Sequence, residues 1–219
     1  MGKVENGLML GVRGKVGPIV MSKGKNGISI MGIKKVKTSK PPKQLQISQR
    51  TKFAVVAAFV GDLKRVIDIG FQGNTDGLEP FAAALQYNLL NAVTGVYPDF
   101  KIDYPNVKLS KGNLPGSNTL ILKNGTDGEL TITWGEDDGF GEEEAALRSE
   151  DTTMLVVYDP LHDRFYLNNA GSTRGKNLLV GTVPRVFAGG LLHAWFFFVS
   201  PDKLRVSKTE YLGSFAITV

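Results

Sequence analysis

Three hydrophobic periodicities follow one another along the chain. Up to residue 37, short apolar pieces stand between glycines at 2, 7, 11, 14, 17, 24, 27 and 32. Between 41 and 94 apolar residues recur every three or four positions, and from Lys101 onward they alternate with polar ones. Such patterns predict turn-punctuated strands, then amphipathic helices, then half-buried strands.

In the first region, 18–21 (PIVM) and 28–31 (ISIM) flank SKGKNG, which predicts a β-hairpin with an Asn-Gly-containing loop. A lone hairpin buries too little apolar surface to stand by itself. Pro18, Ile19, Val20, Met21, Ile28 and Ile30 are therefore expected at an interface with the body or with another subunit.

Thr38-Ser39-Lys40-Pro41-Pro42 then supplies a cap and first-turn prolines for a helix whose stripe is Leu45, Gln49, Phe53, Val56, Ala57 and Val60. Gly61-Asp62 predicts a break, after which Leu63, Val66, Ile67 and Ile69 continue to Gly70. A second helix, from about 78 to 94, carries Phe81, Ala84, Leu85, Leu89, Ala92 and Val93. Asp76 and Glu79 suit its positive end, and Gly95 stops it.

The alternating region predicts strands at 102–109, 118–123, 129–134, 153–158, 164–167, 178–183, 191–199, 204–211 and 215–219, separated by turn signals such as Asn124-Gly125, Asp127-Gly128 and Pro201-Asp202. One of them breaks the alternation. In 191–199 (LLHAWFFFV), Leu191, Trp195, Phe197 and Val199 point one way while Leu192, Ala194, Phe196 and Phe198 point the other. MLVVY at 154–158 is equally unbroken. A sheet apolar on both faces at its centre needs a second cover, from the helices or from another copy. Phe196 and Phe198 are placed on that outer face.

LTITW at 130–134 resembles strand B of a fibronectin type III domain, MLVVYD strand C, and LLVGTVPRVFAGGLLHAWFFF strand E, a loop and strand F. VSPDKLRVSKTEYLG resembles the F–G hairpin. The resemblance covers roughly 118–215. It departs where Leu192 or His193 occupies the place of the corner tyrosine at the start of strand F. Over nearly its full length the chain is also similar to an uncharacterised Bacteroidetes family of unknown function, through GKVGPIVMSKGKNG, PPKQLQISQRTKF and SKTEYLG. Together these imply an α+β fold: a β-hairpin arm (1–40), a helical segment (41–97), and an Ig/fibronectin III-like antiparallel β-sandwich (98–219).

Charge changes the picture of the arm. Residues 1–52 hold twelve Lys and Arg and one acid, Glu5, for +11; the remainder holds fourteen bases and twenty acids, for −6. Lys23, Lys25, Lys34, Lys35, Lys37, Lys40 and Lys43 make a strip able to face a polyanion. No aromatic residue lies in 1–52, so stacking on bases is not provided and any nucleic-acid binding would be non-specific.

Catalytic signals are few. Without cysteine, thiolate chemistry and disulfides are excluded. Two histidines, His162 and His193, do not make a zinc site at zincin spacing; His193 is expected to be structural and His162 to sit in a turn. Gly11-x-x-Gly14-x-x-Gly17 lacks a βαβ unit, and GSTRGK at 171–176 is one residue short of a phosphate loop. The acidic run 136–144 lacks Ca²⁺-loop spacing and reads as a solvated loop or a dock for a neighbour's basic arm. No cofactor, metal or catalytic residue is assigned.

The expected function is a non-enzymatic assembly subunit of a filament, shell or phage-like appendage. It would form homo-oligomers or meet neighbouring structural subunits through the arm and the apolar sandwich face. A non-specific nucleic-acid binder and a glycan- or peptide-binding module using the loops around Trp134 and Asp138 are the alternatives. With no signal peptide or membrane span, synthesis is expected in the cytoplasm, and the pattern does not say where an assembled particle or filament would end up.

Overall fold

The computed structural model describes residues 2–4, 12–24, 28–36, 40–73, 77–117, 119–135, 147–168 and 172–217. It is α+β and divides into two compact units, Met1–Lys43 and Gln44–Val219. Among the described residues no helix is long and apolar enough to cross a membrane.

The N-terminal unit is a four-stranded antiparallel sheet of β1 (Gly2–Val4), β2 (Gly14–Val16), β3 (Ile19–Lys23) and β4 (Ser29–Ile33), in the order β1-β4-β3-β2. The expected hairpin is its centre: Met21 faces Met31 and Lys23 faces Ser29 across β3 and β4. Gly17 takes the left-handed conformation (φ 55°) that the tight β2–β3 turn requires.

In the larger unit, α1 (Gln44–Gly61) and α2 (Lys64–Gly70) are separated where Gly61-Asp62 predicted a break, and α3 (Pro80–Asn91) follows with proline in its first turn. The stripe of α1 differs from expectation. Leu45 and Phe53 are exposed, whereas Phe59, off the predicted stripe, is buried among Tyr158, Phe165 and Trp195. Gly70 permits a close approach that ends α2: a Cβ there would meet the Leu109 carbonyl at 2.0 Å.

Beyond a two-stranded ribbon of β5 (Val93–Thr94) and β6 (Lys101–Ile102), the predicted strand 102–109 is not formed. Asp103 and a 3-10 turn at Tyr104–Asn106 interrupt it. Two sheets follow. The first contains β7 (Leu120–Asn124), β8 (Glu129–Trp134) and β11 (Leu178–Thr182), in the order β11-β8-β7. The second contains β9 (Thr152–Asp159), β10 (Arg164–Asn168), β12 (Leu191–Val199) and β13 (Glu210–Ala216), in the order β10-β9-β12-β13. The predicted strands 204–211 and 215–219 are replaced by one, β13.

The four-stranded sheet is the middle of three layers. On one face Met154, Val156, Tyr158, Trp195, Phe197 and Val199 meet residues of α1, α2 and α3, including Val56, Phe59, Val60 and Ile67. On the other, Leu155, Val157, Phe196 and Phe198 meet Leu130, Ile132 and Trp134 of β8. The second cover is supplied by the chain's own helices. Placing Phe196 and Phe198 on an outer interface is therefore corrected: both are wholly buried between the two sheets, with Trp134 5.5 Å from each ring centre. Trp195 and Phe197 are the pair turned toward the helices.

Candidate functional site

Three places bring chemically capable side chains together. The first is a cleft of about 450 Å³ at one end of the sandwich, between 113–115, 147–151 and 200–205. Arg148, Arg205, Glu150, Asp151 and Asp202 line it, so it offers both signs of charge. Asp151 is buried and its Oδ2 lies 3.4 Å from Nη1 of Arg174. Burial pushes its pKa up, against the pull of Arg174 and, from further off, Arg205 and Arg148. At the rim, Ser200 Oγ and the Leu204 N–H donate to Asp202 Oδ1, which holds that carboxylate below its usual range. Those bonds shape the turn that follows β12.

The second place is the β9–β10 turn. Asp159 is fully buried; its Oδ2 accepts from His162 Nδ1 at 2.6 Å and its Oδ1 from the Leu161 N–H at 2.9 Å. Arg164 Nε stands 3.4 Å from the same carboxylate. Burial works to raise the Asp159 pKa, but the hydrogen bonds from His162 and Leu161 outweigh it and hold the group low. A histidine oriented by a buried carboxylate is half of an acid–base device. Here the carboxylate also fixes the turn through the Leu161 N–H, and His162 sits in that turn, partly exposed, as expected.

The third is an aromatic group at the start of β12. His193 stacks on Tyr104 at 3.9 Å between ring centres, and its Nδ1 lies 2.7 Å from the Tyr211 hydroxyl. Burial pushes its pKa down. His193 thus joins β12, β13 and the 3-10 turn, in keeping with a structural histidine.

The N-terminal sheet distributes the predicted interface residues over two faces. Alternation and register put Val16, Ile19, Met21, Lys23, Ser29, Met31 and Ile33 on one face and Lys15, Val20, Ser22 and Ile30 on the other. Val20 and Ile30 therefore cannot act on the same surface as Ile19 and Met21. Met21 is buried, Ile19 and Met31 are partly buried, and Val16 and Ile33 are 64% and 81% exposed. Pro18 is exposed in the β2–β3 turn and Ile28 is partly buried just before β4. Among the predicted polyanion contacts Lys23, Lys34, Lys35, Lys40 and Lys43 are exposed, while Lys25 and Lys37 lie outside the described residues.

Other candidates resolve differently. The acidic run 136–144, with Asp138, lies outside the described residues, and Trp134 is buried. In the stretch that resembled a phosphate loop, Arg174 is buried and donates to the Pro115 and Gly116 carbonyls. Among the described residues no group of three His, Asp or Glu is placed to hold a metal. Sequence reasoning missed Asn88, which is buried on α3. It donates to the Lys108 carbonyl and accepts from the Lys108 N–H, both at 2.9 Å.

The chain belongs to DUF6266, a family of unknown function, which matches residues 11–213. No curated protein and no solved structure matches it.

Proposed function

We propose, with membership of a family of unknown function as the premise, that this protein is a non-enzymatic structural subunit that associates with further copies through its N-terminal sheet. The observation that carries this reading is an apolar cluster on one face of that sheet. Val16, Ile19, Met21, Met31 and Ile33 share that face with Lys23 and Ser29, and Val16 and Ile33 are exposed. Val16 and Ile33 are apolar side chains left exposed on that face, and a second copy covering them would remove them from water. Their burial contributes at roughly 25 cal/mol per Å² of apolar area, against the cost of association.

The finer identity of the body follows the same line. The order β11-β8-β7 against β10-β9-β12-β13 sets B beside E, C beside F and F beside G, which supports a fibronectin III-like sandwich with an added helical layer. Such a module serves as a rigid spacer between contacts made elsewhere on the chain.

Light scattering on full-length protein tests the reading. Wild type is expected to exceed monomer mass at tens of micromolar, and the paired changes Val16→Lys and Ile33→Lys are expected to reduce that mass. A wild-type monomer at that concentration would sink it. A second reading, a glycan- or peptide-binding module, is favoured by the cleft beside Asp151, whose volume is in the range of small-ligand sites. Its test is a thermal shift with short peptides and oligosaccharides that Arg205→Ala abolishes.

A further inference from the structure

The cleft between 113–115, 147–151 and 200–205 carries opposite charge at its inner wall and its mouth. On the inner wall Arg148 and Asp151 are 9% and 2% exposed. The guanidinium groups of Arg174, Arg205 and Arg148 all pull on the one Asp151 carboxylate, with Arg174 Nη1 at 3.4 Å. Burial still outweighs their pull and raises the Asp151 pKa, as on a wall from which water is largely excluded. Cations are therefore in surplus there. At the mouth, Glu150 and Asp202 are exposed and negative. Arg205, also exposed, acts on both Asp151 and Asp202 and so stands between the two ends.

The rest of the lining narrows the ligand. Leu114, Pro115, Leu147 and Pro201 are apolar, and among the described residues that line the cleft none is aromatic. A sugar ring thus finds no flat face to stack on. Two carboxylates at the mouth repel a dianion such as a phosphate monoester. A ligand carrying one charge of each sign, with an apolar group between them, meets a matching surface at every point. The volume of about 450 Å³ admits a short ligand rather than a folded domain.

Resting on the second reading above, of the cleft as a ligand site, we propose that it takes a short zwitterionic peptide with an apolar side chain. The C-terminal carboxylate enters first and meets Arg148 and Arg205, and the ammonium group stays at the mouth with Glu150 and Asp202. Guanidinium and carboxylate match in a planar fork of two hydrogen bonds, which a water-poor wall strengthens. The ammonium end keeps part of its hydration beside exposed acids. A peptide blocked at either end loses one of these two matches. The site lies wholly within the larger unit and does not depend on the N-terminal sheet.

Calorimetric titration of the full chain with the dipeptide alanyl-leucine, its N-acetyl form and its C-terminal amide tests this. The free dipeptide is expected to bind at least about tenfold more tightly than either blocked form, the usual effect of losing a charged hydrogen-bond partner. Arg205→Ala should weaken the free and N-acetyl dipeptides by about tenfold and leave the amide unchanged. Glu150→Gln should weaken the free dipeptide and the amide and leave the N-acetyl form unchanged. Both residues are exposed, so these variants are expected to fold, and circular dichroism checks it. If all three forms bind alike and Arg205→Ala weakens them equally, the cleft remains a peptide site and recognition of the two termini is overturned. If oligosaccharides bind and no dipeptide does, the proposal fails while the second reading stands. If none of these ligands binds, both fall.

Discussion

The guanidinium carbon of Arg174 stands 4.4 Å from the centre of the Phe198 ring, inside the chain rather than on its surface. The same side chain faces Asp151 and donates to the carbonyls of Pro115 and Gly116, while its own carbonyl accepts from the Trp134 indole N–H at 2.8 Å. One buried cation thus ties the segment leading into β7 to β8, the start of β9 and β12. Removing one partner of a buried pair costs more than the pair contributes, because the other charge stays in low dielectric. Arg174→Met is therefore expected to lower unfolding stability by about 3–5 kcal/mol. Arg174→Lys should recover only part of that, since an ammonium lacks the planar fork. Urea denaturation measures both, and a loss of less than about 1 kcal/mol for Arg174→Met would contradict the assignment.

The middle sheet predicts an unusual symmetry of substitution. In a two-layer sandwich one face of β12 would tolerate truncation; here Phe196 and Phe197 point to opposite faces and both are buried. Phe196→Ala and Phe197→Ala are each expected to cost about 3–5 kcal/mol. A Phe197→Ala protein as stable as wild type would mean that the helices do not cover that face in solution.

What the sequence showed and what it hid differ in physical kind. Strands β8 and β12 were legible to the residue because turn chemistry bounds them and their side chains alternate or run unbroken. The segment 204–211 alternates too, yet only Val206 of its leading pair is buried and Leu204 is 62% exposed. There the polar residues are used in place: Ser207 Oγ accepts from the Phe198 N–H, and Thr209 Oγ1 from the N–H groups of Leu109 and Ser110. Those clips hold the chain outside a ladder until Glu210. Periodicity also mistook Leu45 and Phe53 for core, because a stripe says which residues share a face and not how far along the helix a neighbour reaches. For the candidate sites, Asp159 with His162 was readable as a turn. The burial of Arg174 was not, since nothing local distinguishes a charge that will find Asp151 23 residues earlier.

Asn88 yields a prediction that owes nothing to charge. Its amide bridges α3 to both the N–H and the C=O of Lys108, and it is 1% exposed. Asn88→Ala removes the bridge but leaves the Lys108 backbone groups in place, so they lose partners without regaining water. A loss of about 2–4 kcal/mol is expected. Asn88→Asp, which sets a buried carboxylate oxygen against the Ala84 and Lys108 carbonyls, should lose at least as much near neutral pH. Equal stability of all three proteins by chemical denaturation would show that the bridge is dispensable.

His193 makes stability depend on pH in a defined direction. Burial beneath Tyr104 lowers its pKa in the folded chain, whereas in the unfolded chain it titrates near 6.5. Above the unfolded value both states hold a neutral ring and nothing is gained or lost. As pH falls below about 6.5, the unfolded state takes up the proton first, so stability declines until the folded pKa is passed. The flanking phenols of Tyr104 and Tyr211 are pushed up by burial and stay neutral across this window. The urea midpoint should therefore be level above about pH 7 and drop between pH 6.5 and 5. In His193→Gln, which cannot take up that proton, the decline over this interval should be shallower than in wild type. Identical slopes for the two proteins would remove His193 as the titrating group.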